Sequence, residues 1–214
     1  VYLAASDFTT PLTLFALDLN VMELTVMRRQ PQQFDSDGIN VQQFWTTSAD
    51  GERIPYFHVG KNAAPDTPTL VYAYGGFGIP ELPHYLGSVG KYWLEEGNAF
   101  VLANIRGGGE FGPRWHQAAQ GISKHKSVDD LLAVVRDLSE RGMSSPKHIG
   151  LQGGSNGGLI TAAAFVREPQ SIGALVCEVP LTDMIRYPLL SAGSSWTDEY
   201  GNPQKYEVCK RWLG

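Results

Sequence analysis

The chain has 214 residues, enough for one large domain or for one domain with a fragment of another. Seventeen Lys and Arg against 22 Asp and Glu give a net charge of −5, with 18% charged and 43% hydrophobic residues; this is a globular composition with no basic field for nucleic acid. Two cysteines, Cys177 and Cys209, support neither a disulfide framework nor a zinc site, no run approaches the roughly 18 apolar residues of a membrane span, and no cofactor is expected.

Residues 1–60 read as β-structure. Val1–Ala5, Leu12–Leu19, Met22–Arg28, Val41–Thr47 and Arg53–Val59 are short runs rich in Val, Thr and aromatics, mostly separated by polar, proline or Asp-Gly stretches. Ala49-Asp50-Gly51-Glu52 is a hairpin signal, because Asp-Gly supplies the positive φ angles of a tight turn. Pro55 has no N–H for a ladder, which points its strand to an edge. Gln30–Gly38 is a polar connector, so residues 1–30 and 31–214 are expected as separate units.

Past the loop Lys61–Pro68 the texture changes to strands alternating with helices. Thr69–Tyr74, Ala99–Ile105, His148–Gln152 and Ala174–Val179 are apolar on every side, as parallel strands covered on both faces are. Ser127–Ser139 carries Val128, Leu131, Leu132, Val135 and Leu138 at helical spacing, with Asp129 and Asp130 in the expected first turn. Asn156–Val166 is a second helix, rich in small residues. The order predicts an α/β fold with a doubly wound, mostly parallel sheet. The chain opens at Val1 without Met, and a helix signal at Asn202-Pro203 runs to its last residue, so an excerpt of a longer polypeptide is expected. Ala174–Val179 then becomes an exposed sheet edge through which copies associate. The cytoplasm is the favoured location, with the periplasm or secretion left open.

The sharpest signal is Gly153-x-Ser155-x-Gly157 between a strand and a helix, the pattern of a nucleophile elbow. A chain that reverses this sharply strains the serine backbone and leaves no room for side chains two residues away on either side. The helix starting at Asn156 aims N–H groups and its positive dipole end at the site where an oxyanion develops. Tyr72-Ala73-Tyr74-Gly75-Gly76-Phe77-Gly78 follows an earlier strand, where further oxyanion donors belong. It lacks the His of the HGGG type, which leaves a tyrosine hydroxyl as an alternative donor.

Four blocks together are similar to one family: Tyr72–Phe77, Ala103–Gly112, Gly153–Gly158 and Trp196-Thr197-Asp198-Glu199-Tyr200-Gly201. In this order they resemble the prolyl oligopeptidases, serine peptidases with an α/β-hydrolase catalytic domain. The resemblance implies that Ser155 is the nucleophile, with an oxyanion hole made by the Tyr74 hydroxyl and the Asn156 backbone N–H. It also implies that Phe77, Trp196 and Tyr200 line a pocket for proline, and that short peptides are the substrates. Leu181 departs from the family's smaller branched residue. Residues 1–20 resemble the closing strands of the family's β-propeller.

His58, His84, His116, His125 and His148 all precede Ser155, whereas the hydrolase triad runs serine, acid, histidine. The acid and the base are therefore expected beyond Gly214, and the 214 residues alone are expected to be inactive. Asp183 and Asp198 read as surface or loop carboxylates, the histidines as satisfied structural or surface residues. Arg106 and Glu110 are expected to pair with each other and order the glycine loop. Rival readings are an esterase-type hydrolase, a non-catalytic interaction module, and a dinucleotide-binding protein through Gly107-x-Gly109-x-x-Gly112 with Asp129 or Asp130 as the ribose acid.

Overall fold

A computed structural model describes residues 1–205. The expected C-terminal helix from Pro203 falls largely outside the described residues, as does Cys209. Strands β1 (Tyr2–Ala5), β2 (Thr13–Asp18) and β3 (Glu23–Arg29) form an antiparallel meander. Every residue of β1 and β3 is exposed. The meander is tied to the rest by Phe8, which is buried and meets Phe57 at 5.4 Å between ring centroids.

The main sheet begins with the hairpin of β4 (Asn40–Thr47) and β5 (Arg53–Gly60), closed at the Asp-Gly turn by the Ser48 amide donating to the Glu52 carbonyl at 2.8 Å. It continues with β6 (Thr69–Ala73), a short helix α1 (Gly87–Val89) extended by a wider turn to Leu94, and β7 (Ala99–Ala103). Helix α2 (Pro113–Gln117) and the long α3 (His125–Glu140) lead to β8 (Ile149–Gly154). Helix α4 (Asn156–Arg167), β9 (Ala174–Glu178) and α5 (Thr197–Tyr200) complete the described elements. Strand order is β4-β5-β7-β6-β8-β9, with β7, β6, β8 and β9 mutually parallel and β4–β5 an antiparallel flank. Among the described residues β4 and β9 are the two sheet edges.

Strand alternation sorts the core into two layers. Val71, Ala73, Val101, Ala103 and Leu151 face α3 and α4 and pack on Leu131, Val135, Leu138 and Ile160. Leu70, Tyr72, Phe100 and Leu102 face the other way, onto Phe34, Leu86 and Leu94. Both faces of β6, β7 and β8 are covered, so the α/β-hydrolase architecture with its doubly wound sheet is realised in these residues. Strand β9, also expected to be covered on both faces, instead alternates exposed and half-buried residues because it lies at an edge.

Two local expectations are corrected. Strand β5 is interior, between β4 and β7. Pro55 is tolerated because it lies one residue past the last β5–β7 pair, Tyr56–Ala103, where only its carbonyl is used, accepting from the Asn104 amide at 3.1 Å. Helix α3 starts at His125, so Asp129 and Asp130 sit beyond its first turn, and Asp130 is fully buried against Arg106 instead of facing the dipole.

The chain moves from β6 to β7 on one side and then crosses to β8 on the other. The switch point therefore lies between β6 and β8, and the crevice outside their carboxyl ends is the natural site in such a sheet. Their register pairs Tyr72 with Gln152, which delivers Tyr74 and Ser155 to the same end of the sheet.

Candidate active site

Ser155 occupies the bend between β8 and α4 with φ 54° and ψ −116°. For a non-glycine residue this backbone costs on the order of 1–3 kcal/mol, so the surroundings must impose it. They do: the Ser155 amide donates to the Glu178 carbonyl at 2.9 Å, and its carbonyl accepts from the Leu159 amide at 3.2 Å. A Cβ at position 153 would collide with the Gly157 carbonyl, and one at 157 with the Ala73 carbonyl. The two glycines thus let the bend close on itself and on β6.

The half-buried Tyr74 phenol lies near enough to the Ser155 side chain for the serine to influence its ionisation. Burial raises its pKa, the Glu199 and Glu81 charges add to that, and the serine opposes it. Tyr74 is therefore a neutral O–H donor at physiological pH. The Asn156 amide opens α4, outside the intrahelical ladder and at the positive end of a 12-residue helix. Two donors thus flank the serine.

The side chain of Asn156 does something the sequence did not signal. It is fully buried, donates to the Tyr74 carbonyl at 2.5 Å, and accepts from the Tyr200 hydroxyl at 2.9 Å. Tyr200 is itself fully buried, stacked edge-on between Phe77 (5.8 Å) and Tyr187 (5.5 Å). Leu159 and Met184 complete this cluster, with Phe77, Leu181 and Trp196 half-buried around it. The structure therefore gathers Phe77, Trp196 and Tyr200 into one cluster, tied through Tyr200 to Asn156, the residue after Ser155. Phe77 has φ 57°, a second strained non-glycine residue at the site.

Three further residues escaped the sequence reading. Lys124 pairs with Glu199 at 2.6 Å, both almost fully buried, and also donates to the Gly75 carbonyl at 2.9 Å. The other Glu199 oxygen meets His116 Nε2 at 2.7 Å. Burial alone would raise the Glu199 carboxyl, but Lys124, His116 and the Phe77 backbone outweigh it and hold the group ionised. The only sequence hint was Glu199 inside the Trp196–Gly201 block; Lys124 and His116 lie far from it in the chain.

The expected Arg106–Glu110 pair does not form. Arg106, 2% exposed, makes bonds of 2.9 and 2.6 Å to Asp130 and of 2.6 and 2.9 Å to Asp50. Glu110 instead accepts from the Glu81 amide at 2.9 Å, and its Oε2 is buried without a partner. Gly107 and Gly109 press on the Gly75 and Gly78 carbonyls, so the loop packs against protein where a pyrophosphate would have to lie. Asp130 is held by Arg106 and Asp129 by Arg167, neither at a strand end. These contacts oppose the dinucleotide reading.

The histidines lie apart from the serine in their bonding. His84, His125 and His148 contact the carbonyls of Leu82, Ile122 and Pro65, and His116 is held by Glu199. His58 departs from the expectation of satisfied histidines: it is buried, its Nε2 has no partner, and burial lowers its pKa. Asp183 is tied to Arg186 at the surface. Among the described residues no group of three His, Cys, Asp or Glu is arranged to hold a metal ion.

Comparison with known proteins adds an independent line. Over 206 residues the chain is 43% identical to an uncharacterized peptidase of Sinorhizobium fredii, covering 95% of this chain and 28% of that one. It superposes on a post-proline cleaving enzyme from Rickettsia typhi with a TM-score of 0.92 and 39% identity, over 98% of this chain and 31% of the other. Prolyl oligopeptidase B from Galerina marginata, solved with a 25-residue macrocyclization substrate, also gives 0.92, at 30% identity over 99% of this chain and 30% of that one. The chain thus spans about 30% of the length of the relatives it matches. The family model described as the prolyl oligopeptidase family matches residues 86–213, more than half of the sequence, including Ser155, Tyr187, Trp196 and Tyr200. The chain belongs to the prolyl oligopeptidase family.

Proposed function

We propose that these residues form the nucleophile-bearing part of a serine peptidase catalytic domain that cleaves short peptides after proline. The Ser155 Oγ attacks the scissile carbonyl carbon and gives its proton to a histidine outside the 214 residues. The tetrahedral oxyanion is held between the Tyr74 hydroxyl and the Asn156 N–H. Collapse expels the amine, which takes the proton from the histidine, and water releases the acyl group by the same route in reverse. The flat, apolar pyrrolidine of a proline suits a pocket walled by Phe77 and Trp196 over Tyr200. Residues 1–30 are the last strands of a propeller, and 31–214 belong to the hydrolase domain.

The observation that carries this reading is the strained Ser155 backbone at the bend between β8 and α4, at the same sheet end as Tyr74. The test is to add a fluorophosphonate and, separately, a chromogenic peptide with proline before the cleaved bond. The 214 residues alone are expected to show no turnover. A polypeptide extended to include a downstream Asp and His is expected to hydrolyse the peptide and to label at Ser155, with both lost in Ser155→Ala. Turnover that survives Ser155→Ala, or an extended protein that labels but hydrolyses only esters, would overturn it.

A further inference from the structure

Burying an ion pair costs the hydration of both charges, and an apolar pair of similar volume is often as stable. Lys124 and Glu199 are 1% and 3% exposed at the side chain, yet they lie beside the catalytic serine's own support. What distinguishes the pair is where its remaining bonds go. The Lys124 ammonium donates to the carbonyl of Gly75, the residue after Tyr74, and lies 5.6 Å from the centre of the Tyr200 ring. The Phe77 backbone helps hold the Glu199 carboxylate ionised, and Glu199 precedes Tyr200 in α5.

These bonds close a ring. From Tyr74 the path runs through the Asn156 side chain to the Tyr200 hydroxyl, along the chain to Glu199, across to Lys124, and back through Gly75 to Tyr74. One side of the ring carries the oxyanion phenol and the other the floor of the aromatic pocket. Lys124 and Glu199 are the only charged members.

We infer that the Lys124–Glu199 pair is a positioning unit that locks the Tyr74–Phe77 loop to α5, so that a proline seated on the aromatic cluster sets the Tyr74 hydroxyl for the oxyanion. Neither residue touches the substrate; both act through Gly75, Phe77 and Tyr200. The inference rests on the proposed role of Ser155 and names what aligns its partner.

The test uses the base-containing polypeptide that shows Ser155-dependent hydrolysis. Lys124→Met cuts the tie to Gly75 and leaves Glu199 with His116 and the Phe77 backbone. It is expected to lower kcat on the proline peptide about 10- to 100-fold, because small displacements of aligned groups are costly, while KM changes less than about threefold. Selectivity for proline over alanine before the cleaved bond is expected to fall about tenfold. Lys124→Met/Glu199→Gln removes both charges and is expected to regain thermal stability while kcat and selectivity stay low. If the single variant does not fold, the double variant gives the reading. Wild-type kcat and selectivity in either folded variant, or their return together with stability in the double variant, would reduce the pair to a structural prop. Hydrolysis that persists in Ser155→Ala would instead overturn the nucleophile assignment, a separate result.

Discussion

The Tyr200 hydroxyl donates to Asn156 Oδ1 at 2.9 Å, and the Asn156 amide group passes the connection on to the Tyr74 carbonyl at 2.5 Å. Through this one side chain the residue after Ser155 holds both the end of β6 that leads to Tyr74 and the buried Tyr200. Tyr200→Phe removes one buried hydrogen bond and is expected to cost about 1 kcal/mol of stability. Asn156→Ala removes both the bond to the Tyr74 carbonyl and the bond from the Tyr200 hydroxyl and is expected to cost roughly 2–3 kcal/mol. Chemical denaturation of the two variants orders them; equal losses would mean that the amide does not act as a bridge.

Tyr74 is expected to contribute to the transition state more than to binding. In the base-containing polypeptide, Tyr74→Phe should lower kcat about 10²–10³-fold with little change in KM, as loss of one oxyanion donor does. Burial, aided by the Glu199 and Glu81 charges, holds this phenol above its ordinary pKa. Its ionisation should therefore leave no limb in the rate profile below pH 10. A kcat within threefold of the parent would remove Tyr74 from the oxyanion hole.

Glu110 has a buried, unpartnered oxygen, and burial raises its carboxyl above the unfolded value of about 4.3. For a raised acid the favourable contribution is complete below the unfolded pKa and disappears as pH climbs through the folded one. Glu110→Gln does not titrate, so its melting temperature relative to wild type should rise between pH 4 and pH 8, by roughly a few degrees. Melting curves at those two pH values check the sign; a pH-independent difference would show that the carboxyl ionises freely.

Arg106 is bracketed by Asp130, which is fully buried, and by the more exposed Asp50, whose carboxyl the Arg106 guanidinium holds far below the usual range. Arg106→Leu leaves the buried Asp130 without its counter-ion, which is expected to cost roughly 3–5 kcal/mol. Asp50→Asn should cost much less at pH 7, because water screens that side of the pair. Since the Asp50 pKa is depressed on folding, its contribution is present above about pH 4 and fades as pH falls through the folded value. Urea melts at pH 7 and pH 3 measure both effects. Similar losses for the two substitutions at pH 7 would contradict the assigned burial.

The elbow itself was legible in the sequence because its causes are local. Gly153 and Gly157 are required by contacts within and beside one turn, and the strand and helix that flank it carry their own periodicity. The apolar runs likewise indicated the doubly wound sheet, and they hold for β6, β7 and β8, whereas the equally apolar β9 leaves Ala174 and Val176 exposed at the edge. Pro55 misled because a missing N–H says that a ladder bond is absent, not that the strand lies at an edge; β7 simply ends before it.

What only the tertiary structure decided was the choice of partners among charges. Arg106 had Glu110 four residues away, yet it turned to Asp50 and Asp130, brought in by the β4–β5 turn and by α3. Lys124 and Glu199 are 75 residues apart, and nothing in either neighbourhood names the other. Local preference acts over a few residues along the chain. Electrostatic pairing acts over a few ångströms in space, and those neighbours exist only once the layers have packed.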